Sequence, residues 1–168
     1  IANAKLVIID LNCPKETVEY VKSCVQKHET ELAIIPVSSP EMKRMPDSLE
    51  DVAWFICNED EAETLTGISI DDEKDWEKAV SKLIEAGVKN VVVTSGARGV
   101  MAGQDGGIIM HFPAISGVTV EDVTGAGDAF VSGVLHGHLS GMEMGEAIRC
   151  GLINASKTLE SQHTVRPE

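Results

Sequence analysis

Four short apolar runs, each closed by a polar residue, constrain this chain most strongly: residues 6–9 before Asp10, 32–37 before Ser38, 54–57 before Asn58, and 91–93 before Thr94. Runs of that length without polar alternation read as strands buried on both faces. Between them lie segments with helical periodicity. Residues 14–27 carry Val18, Val21 and Val25 among charges, with Pro14 suited to a helix start. Residues 59–66 read as a short polar helix closed by Gly67, and residues 76–86 as an amphipathic helix stopped by Gly87. Residues 38–40 open a loop or a short helix. The alternation predicts an α/β fold, a mostly parallel sheet flanked by helices on both faces.

Further on, residues 99–102 and 108–112 predict a hairpin around Gln104-Asp105-Gly106-Gly107. A helix is expected from Asp128 to about Leu139, and another over 143–160. With no internal repeat, low-complexity tract or linker, residues 1–168 read as a single domain. Residue 1 is Ile and leads straight into an apolar stretch, so a piece of a longer chain is expected.

Composition narrows the function classes. Lys plus Arg is 14 against 27 Asp plus Glu, a net charge of −13, which argues against gripping nucleic acid or an anionic membrane by bulk charge. Aromatics are 4%, too few for a base-stacking surface. No apolar run approaches the roughly 20 residues a membrane helix needs. Cys13, Cys24, Cys57 and Cys150 form no C-x-x-C pair and read as thiols of a reducing, cytoplasmic compartment.

In open parallel sheets the active crevice lies beyond the carboxyl ends of the strands. Four polar clusters fall there or just after a strand: Asp10-Leu11-Asn12, Asn58 to Glu61, Thr94 to Gly96, and Asp122 to Asp128. The last is the most informative. Small residues at Gly125, Ala126 and Gly127 let backbone amides approach an anion where a helix begins, and both the unpaired amides and the helix dipole favour a phosphate there. Asp128 would sit in the first turn as a proton acceptor beside that cradle, suited to phosphoryl transfer onto a hydroxyl. The same segment also reads as a plain glycine-containing helix entry with an acidic cap. Asn58 and Glu61, three residues apart at a strand end, could organise the waters of Mg²⁺, or simply begin a solvated acidic helix. Thr94, Gly96 and Gly99 can form a phosphate-contacting turn, or an ordinary turn into the hairpin.

Together these motifs resemble the PfkB, ribokinase-like family of carbohydrate kinases. Asp122 to Phe130 matches the family signature D-[TV]-T-G-A-G-D-x-F. Asn58 and Glu61 match N-x-x-E, and Thr94, Gly96 and Gly99 match T-x-G-x-x-G, all in family order. The chain looks like roughly the C-terminal half of such an enzyme. Ile35-Pro36-Val37-Ser38-Ser39-Pro40 with Lys43, and Asp10-Leu11-Asn12, look like the pseudouridine kinase branch, or like generic drift in a loop.

The resemblance implies an ATP-dependent kinase acting on a hydroxyl of a sugar or nucleoside, pseudouridine or ribose-like, with Mg²⁺. Asp128 looks like the catalytic base, and Gly125, Ala126 and Gly127 like the anion hole. Asn58 and Glu61 look like the Mg²⁺ and phosphate organisers, and Thr94, Gly96 and Gly99 like contacts to the ATP phosphates. Asp122 and Thr124 look like part of a monovalent-cation site, usually for K⁺. Adenine would lie between Val118 and Val120 on the hairpin side and Asn154 on the last helix. Val123 stands where Thr is frequent. Residues 158–165 lack the Gly-containing segment that completes the cation site in ribokinase, which puts K⁺ dependence in doubt. The acceptor-binding residues and lid of the family's N-terminal half are expected to be missing. The isolated chain is therefore expected to be inactive or nearly so, and a homodimer would form through that lid. The other reading is a non-catalytic nucleotide-binding regulatory relative. A dinucleotide-dependent oxidoreductase is disfavoured, because no G-x-G-x-x-G follows the first strand.

Overall fold

A computed structural model describes residues 1–161, arranged as two compact units, 1–111 and 112–161. The first unit opens β1 (Leu6–Asp10), α1 (Lys15–Lys27), β2 (Glu31–Ile35), β3 (Trp54–Asn58), α2 (Glu59–Thr66), α3 (Glu73–Glu85), β4 (Asn90–Thr94) and β5 (Val100–Gln104). A short strand, β6 (Met110–Phe112), ends the sheet, whose order is β1-β2-β3-β4-β5-β6. Strands β1 to β4 are parallel, as their uniformly apolar runs predict, and β5 returns antiparallel to β4. The sheet is mixed α/β in character and flanked by helices.

Register explains the core. Ile9 and Ile34 are paired, as are Ile34 and Phe55, Phe55 and Val91, and Val93 and Met101. These side chains share one face and pack with Val18 and Val25 of α1 and Trp76, Ala79, Val80 and Leu83 of α3. The four α3 residues recur at helical spacing, which is why that helix buries one stripe and leaves its charges outside. Trp54, Ile56, Val92 and Ala102, on the opposite face, are buried as well.

Element boundaries moved for local reasons. Helix α3 begins three residues before the expected Trp76, because Asp72 accepts the Asp75 amide at 2.9 Å and caps the helix. The acidic run 71–75 thus starts the helix. Strand β2 stops at Ile35, next to Pro36, which has no amide to donate to the ladder. The hairpin expected over 99–112 is present, with a longer first arm and a shorter second one, and Gly107 N–H donates to the Gln104 carbonyl across its turn. Residues 39–44 wind into a 3-10 turn.

The second unit holds α4 (Ala126–Leu139) and α5 (Met144–Leu159). They approach very closely. A Cβ added at Gly133 would lie 2.7 Å from the Gly151 Cα, and one at Gly137 2.8 Å from the Ala147 Cα. Glycines at 133, 137 and 151 therefore let the two backbones touch.

Candidate functional site

The site begins with a register fact: Asn58, last residue of β3, is paired with Thr94, last residue of β4. Sheet pairing alone thus sets two residues from separate motifs side by side at the carboxyl edge. The Thr94 hydroxyl donates to the Cys57 carbonyl at 3.3 Å. Beyond these strand ends opens a cleft of about 290 Å³ lined by Asn58, Glu59, Asp60, Thr94, Ser95 and Gly96.

One wall is the start of α2. The Asn58 side chain accepts the Glu61 amide at 2.9 Å, while Glu61 Oε2 accepts the Asn58 amide at 2.9 Å. Each satisfies an amide the helix end would otherwise leave open, a reciprocal capping box. Asn58 remains exposed, whereas Glu61 is only 2% exposed. Burial pushes the Glu61 carboxyl above its ordinary pKa, against the Asn58 amide, and the charge of Asp60 adds to the rise. Burial likewise pushes the Cys57 thiol well up, so this cysteine is not an activated nucleophile.

The other wall is the turn from β4 to β5. Ser95 N–H donates to the Gly99 carbonyl at 2.9 Å, closing the loop. Gly99 has φ 94° and ψ −132°, a conformation that only glycine adopts readily. Gly96 has φ 47°, and a Cβ there would meet nothing within 4 Å, so its backbone faces open space. Thr94 and Gly96 line the cleft; Gly99 is buried and shapes the turn.

The second unit carries the remaining candidates. Asp122 Oδ1 accepts the Thr124 amide at 2.9 Å, forming a tight turn before α4. That amide, with the Thr124 hydroxyl, holds the Asp122 carboxyl below its usual pKa against slight desolvation. Gly125 is the N-cap, left-handed at φ 81°, and no side chain caps the helix. The helix begins at Ala126, two residues earlier than expected, which puts Ala126, Gly127 and an exposed Asp128 in its first turn. Nothing lies within 4 Å of a Cβ built on Gly127. An uncapped helix start with open glycine backbone is what an anion cradle requires. Val118, half-buried, and Val120, exposed, lie in the irregular segment after β6. The Glu121 amide donates to the Leu159 carbonyl at 2.8 Å, tying that segment to the end of α5, the helix that carries exposed Asn154.

The structure therefore groups Asn58, Glu61, Thr94, Gly96 and Gly99 at one sheet edge, and Asp122 to Asp128 at one helix start. Sequence reasoning passed over Arg98, whose guanidinium pairs with Glu59 across the cleft-lining segments. A lone cation between two turn glycines, in a chain of net charge −13, was the available signal. Among the described residues no three His, Cys, Asp or Glu side chains gather as a metal cluster. No helix there is long and apolar enough to cross a membrane. Residues 162–165 of the tail expected to lack the cation-site glycines lie outside the described residues.

Comparison with known proteins decides the family. The profile of the pfkB family carbohydrate kinases matches residues 1–168. The chain belongs to this family. It is 31% identical over 153 residues to a ribokinase from Haemophilus influenzae, covering 90% of this chain and 48% of that enzyme. It is 27% identical over 172 residues to the pseudouridine kinase of Escherichia coli, covering 100% of this chain and 53% of that protein. The fold superposes on Arabidopsis thaliana ribokinase, solved with ribose and ATP, with a TM-score of 0.82 at 23% identity, covering 96% of this chain and 52% of that one. The pfkB chain thus spans about half the length of the relatives it matches.

Proposed function

We propose that this chain carries the nucleotide side and the catalytic base of an ATP-dependent kinase that transfers the γ-phosphoryl group to a hydroxyl of a sugar or nucleoside. The observation that carries the reading is the start of α4, which no side chain caps, where left-handed Gly125 and the open backbone of Gly127 stand directly before Asp128. Family membership supports it, as do the ribokinase and pseudouridine kinase relatives. The two relatives match about equally well, so the acceptor is proposed only as ribose-like or pseudouridine-like.

In this reading the exposed Asp128 carboxylate takes the proton of the acceptor hydroxyl as its oxygen attacks in line. The Ala126 amide donates to the Val123 carbonyl at 3.3 Å, so the amides of Gly125 and Gly127, with the dipole of α4, are the groups that stabilise the negative charge growing on the transferring group. Thr94 and Gly96 hold the outgoing phosphates at the β4 edge. The cleft there offers oxygen donors and no His or Cys, a set that fits a hard, partly hydrated cation. Asn58 and Glu61 would organise Mg²⁺, Asn58 at the cleft and Glu61 from beneath it through the cap. Bound Mg²⁺ supplies neutralisation of phosphate charge. Asp122 and Thr124 are proposed for a monovalent cation, K⁺, and Val118, Val120 and Asn154 for the adenine.

The test is ADP release by the full-length protein with Mg-ATP and pseudouridine, uridine, ribose or fructose 6-phosphate. Turnover with one acceptor is expected, and Asp128→Asn should lower kcat by about 10²–10⁴-fold. ATP binding without turnover on a wide acceptor panel would instead support a regulatory nucleotide-binding relative.

A further inference from the structure

We propose that Arg98 is a positioning residue for the triphosphate: held across the 95–99 turn, it neutralises Glu59, whose carboxylate would otherwise stand free at the phosphate cleft and repel the incoming phosphates. The inference rests on the nucleotide reading above and goes beyond it, since Glu59 and Arg98 occupy the unspecified positions of the Asn58-x-x-Glu61 and Thr94-x-Gly96-x-x-Gly99 motifs and neither has a role in that reading.

The geometry is specific. Arg98 Nη2 pairs with Glu59 Oε1, and Arg98 Nε donates to the Ser95 hydroxyl at 2.9 Å. That hydroxyl in turn donates to Glu59 Oε2. Both oxygens of Glu59 are thereby engaged by the opposite wall. The guanidinium lies 5.2 Å from the centroid of the Trp76 ring, which is 2% exposed, so a buried indole face backs the cation. The backbone is held too, with His111 Nε2 2.7 Å from the Arg98 carbonyl. His111 leans on the same indole, with ring centroids 5.5 Å apart. Arg98 is thus tied to α2, to α3 and to β6, while Gly96, two residues earlier, lines the cleft.

The electrostatic consequence follows from position. Glu59 and Asp60 both line the cleft that is proposed to receive phosphates. A bare carboxylate there would repel them. Paired with Arg98 and hydrogen-bonded to Ser95, Glu59 presents little net charge, and the same contacts fix how far the turn stands from Asn58.

The experiment is calorimetric titration of the full-length protein with Mg-ATP, with thermal melts to confirm that each variant is folded. Arg98→Gln should raise the Kd about tenfold, because it leaves the Glu59 charge unpaired. Arg98→Lys should lie between, since it keeps the charge and loses the forked geometry. The double variant Glu59→Gln/Arg98→Gln should recover to within about threefold of the unmutated protein, because the repulsive charge is gone. A merely structural role for Arg98 would show no such recovery. An unchanged Kd in Arg98→Gln, or a double variant as weak as the single, overturns the inference while the nucleotide reading stands. Failure of the unmutated protein to bind Mg-ATP overturns both.

Discussion

Asn58 and Glu61 exchange hydrogen bonds across the first turn of α2, so the residues proposed to organise a metal are also the residues that start a helix. The two roles separate experimentally. Asn58→Ala removes the cap and should cost about 1 kcal/mol in urea unfolding. Glu61→Gln keeps an acceptor for the Asn58 amide and removes a charge. Glu61 has a raised pKa in the folded state. Its neutral form therefore favours folding below the ordinary carboxylate value, and that contribution is lost as pH rises through the folded value. Glu61→Gln should accordingly be at least as stable as the unmutated protein at pH 7, with any gain shrinking toward pH 4. If Glu61 organises Mg²⁺, the same variant should lose turnover without losing stability. A clear loss of stability at pH 7 would show instead that the cap needs the carboxylate.

At the scale of elements, the placement of Asp128 depends on a helix pair whose contact is made of glycine. A side chain at Gly133 would collide with the Gly151 Cα and the Cys150 carbonyl, both backbone atoms that cannot rotate aside. Gly133→Val should therefore destabilise by at least about 1–3 kcal/mol, read as a fall in Tm, and should lower activity by moving α4 rather than by touching the site. A stable Gly133→Val protein would mean the helices can separate freely. The β4–β5 turn depends likewise on Gly99, whose φ of 94° is strained for any other residue. The strands and their order of alternation were legible because uniform apolar runs have few other uses. Helix starts at Glu73 and Ala126 were less so, since a cap is a hydrogen-bond geometry and acidic or small residues before a helix fit several. The antiparallel return of β5 was readable as a hairpin with β6, while its pairing with β4 emerged from the fold.

For the whole molecule, a net charge of −13 is a property of the sequence before any folding. Self-repulsion on that scale opposes compactness and is screened by salt. Raising KCl from about 20 to 300 mM should raise Tm by a few degrees, and a fall would mean that specific surface pairs outweigh the net repulsion. Family membership was also within reach of the sequence, because three motifs in fixed order are far more restrictive than any one. Asn58-x-x-Glu61, Thr94-x-Gly96-x-x-Gly99 and Asp122 to Phe130 name the candidate residues without a structure. Their geometry was not there to read. Only sheet register sets Asn58 beside Thr94, 36 positions later in the chain. Only packing turns Glu61 inward to 2% exposure and brings Arg98 from one turn onto Glu59 of another element. Local spacing determines which face of a strand or helix a residue occupies; which distant residue meets it is decided by how the elements pack.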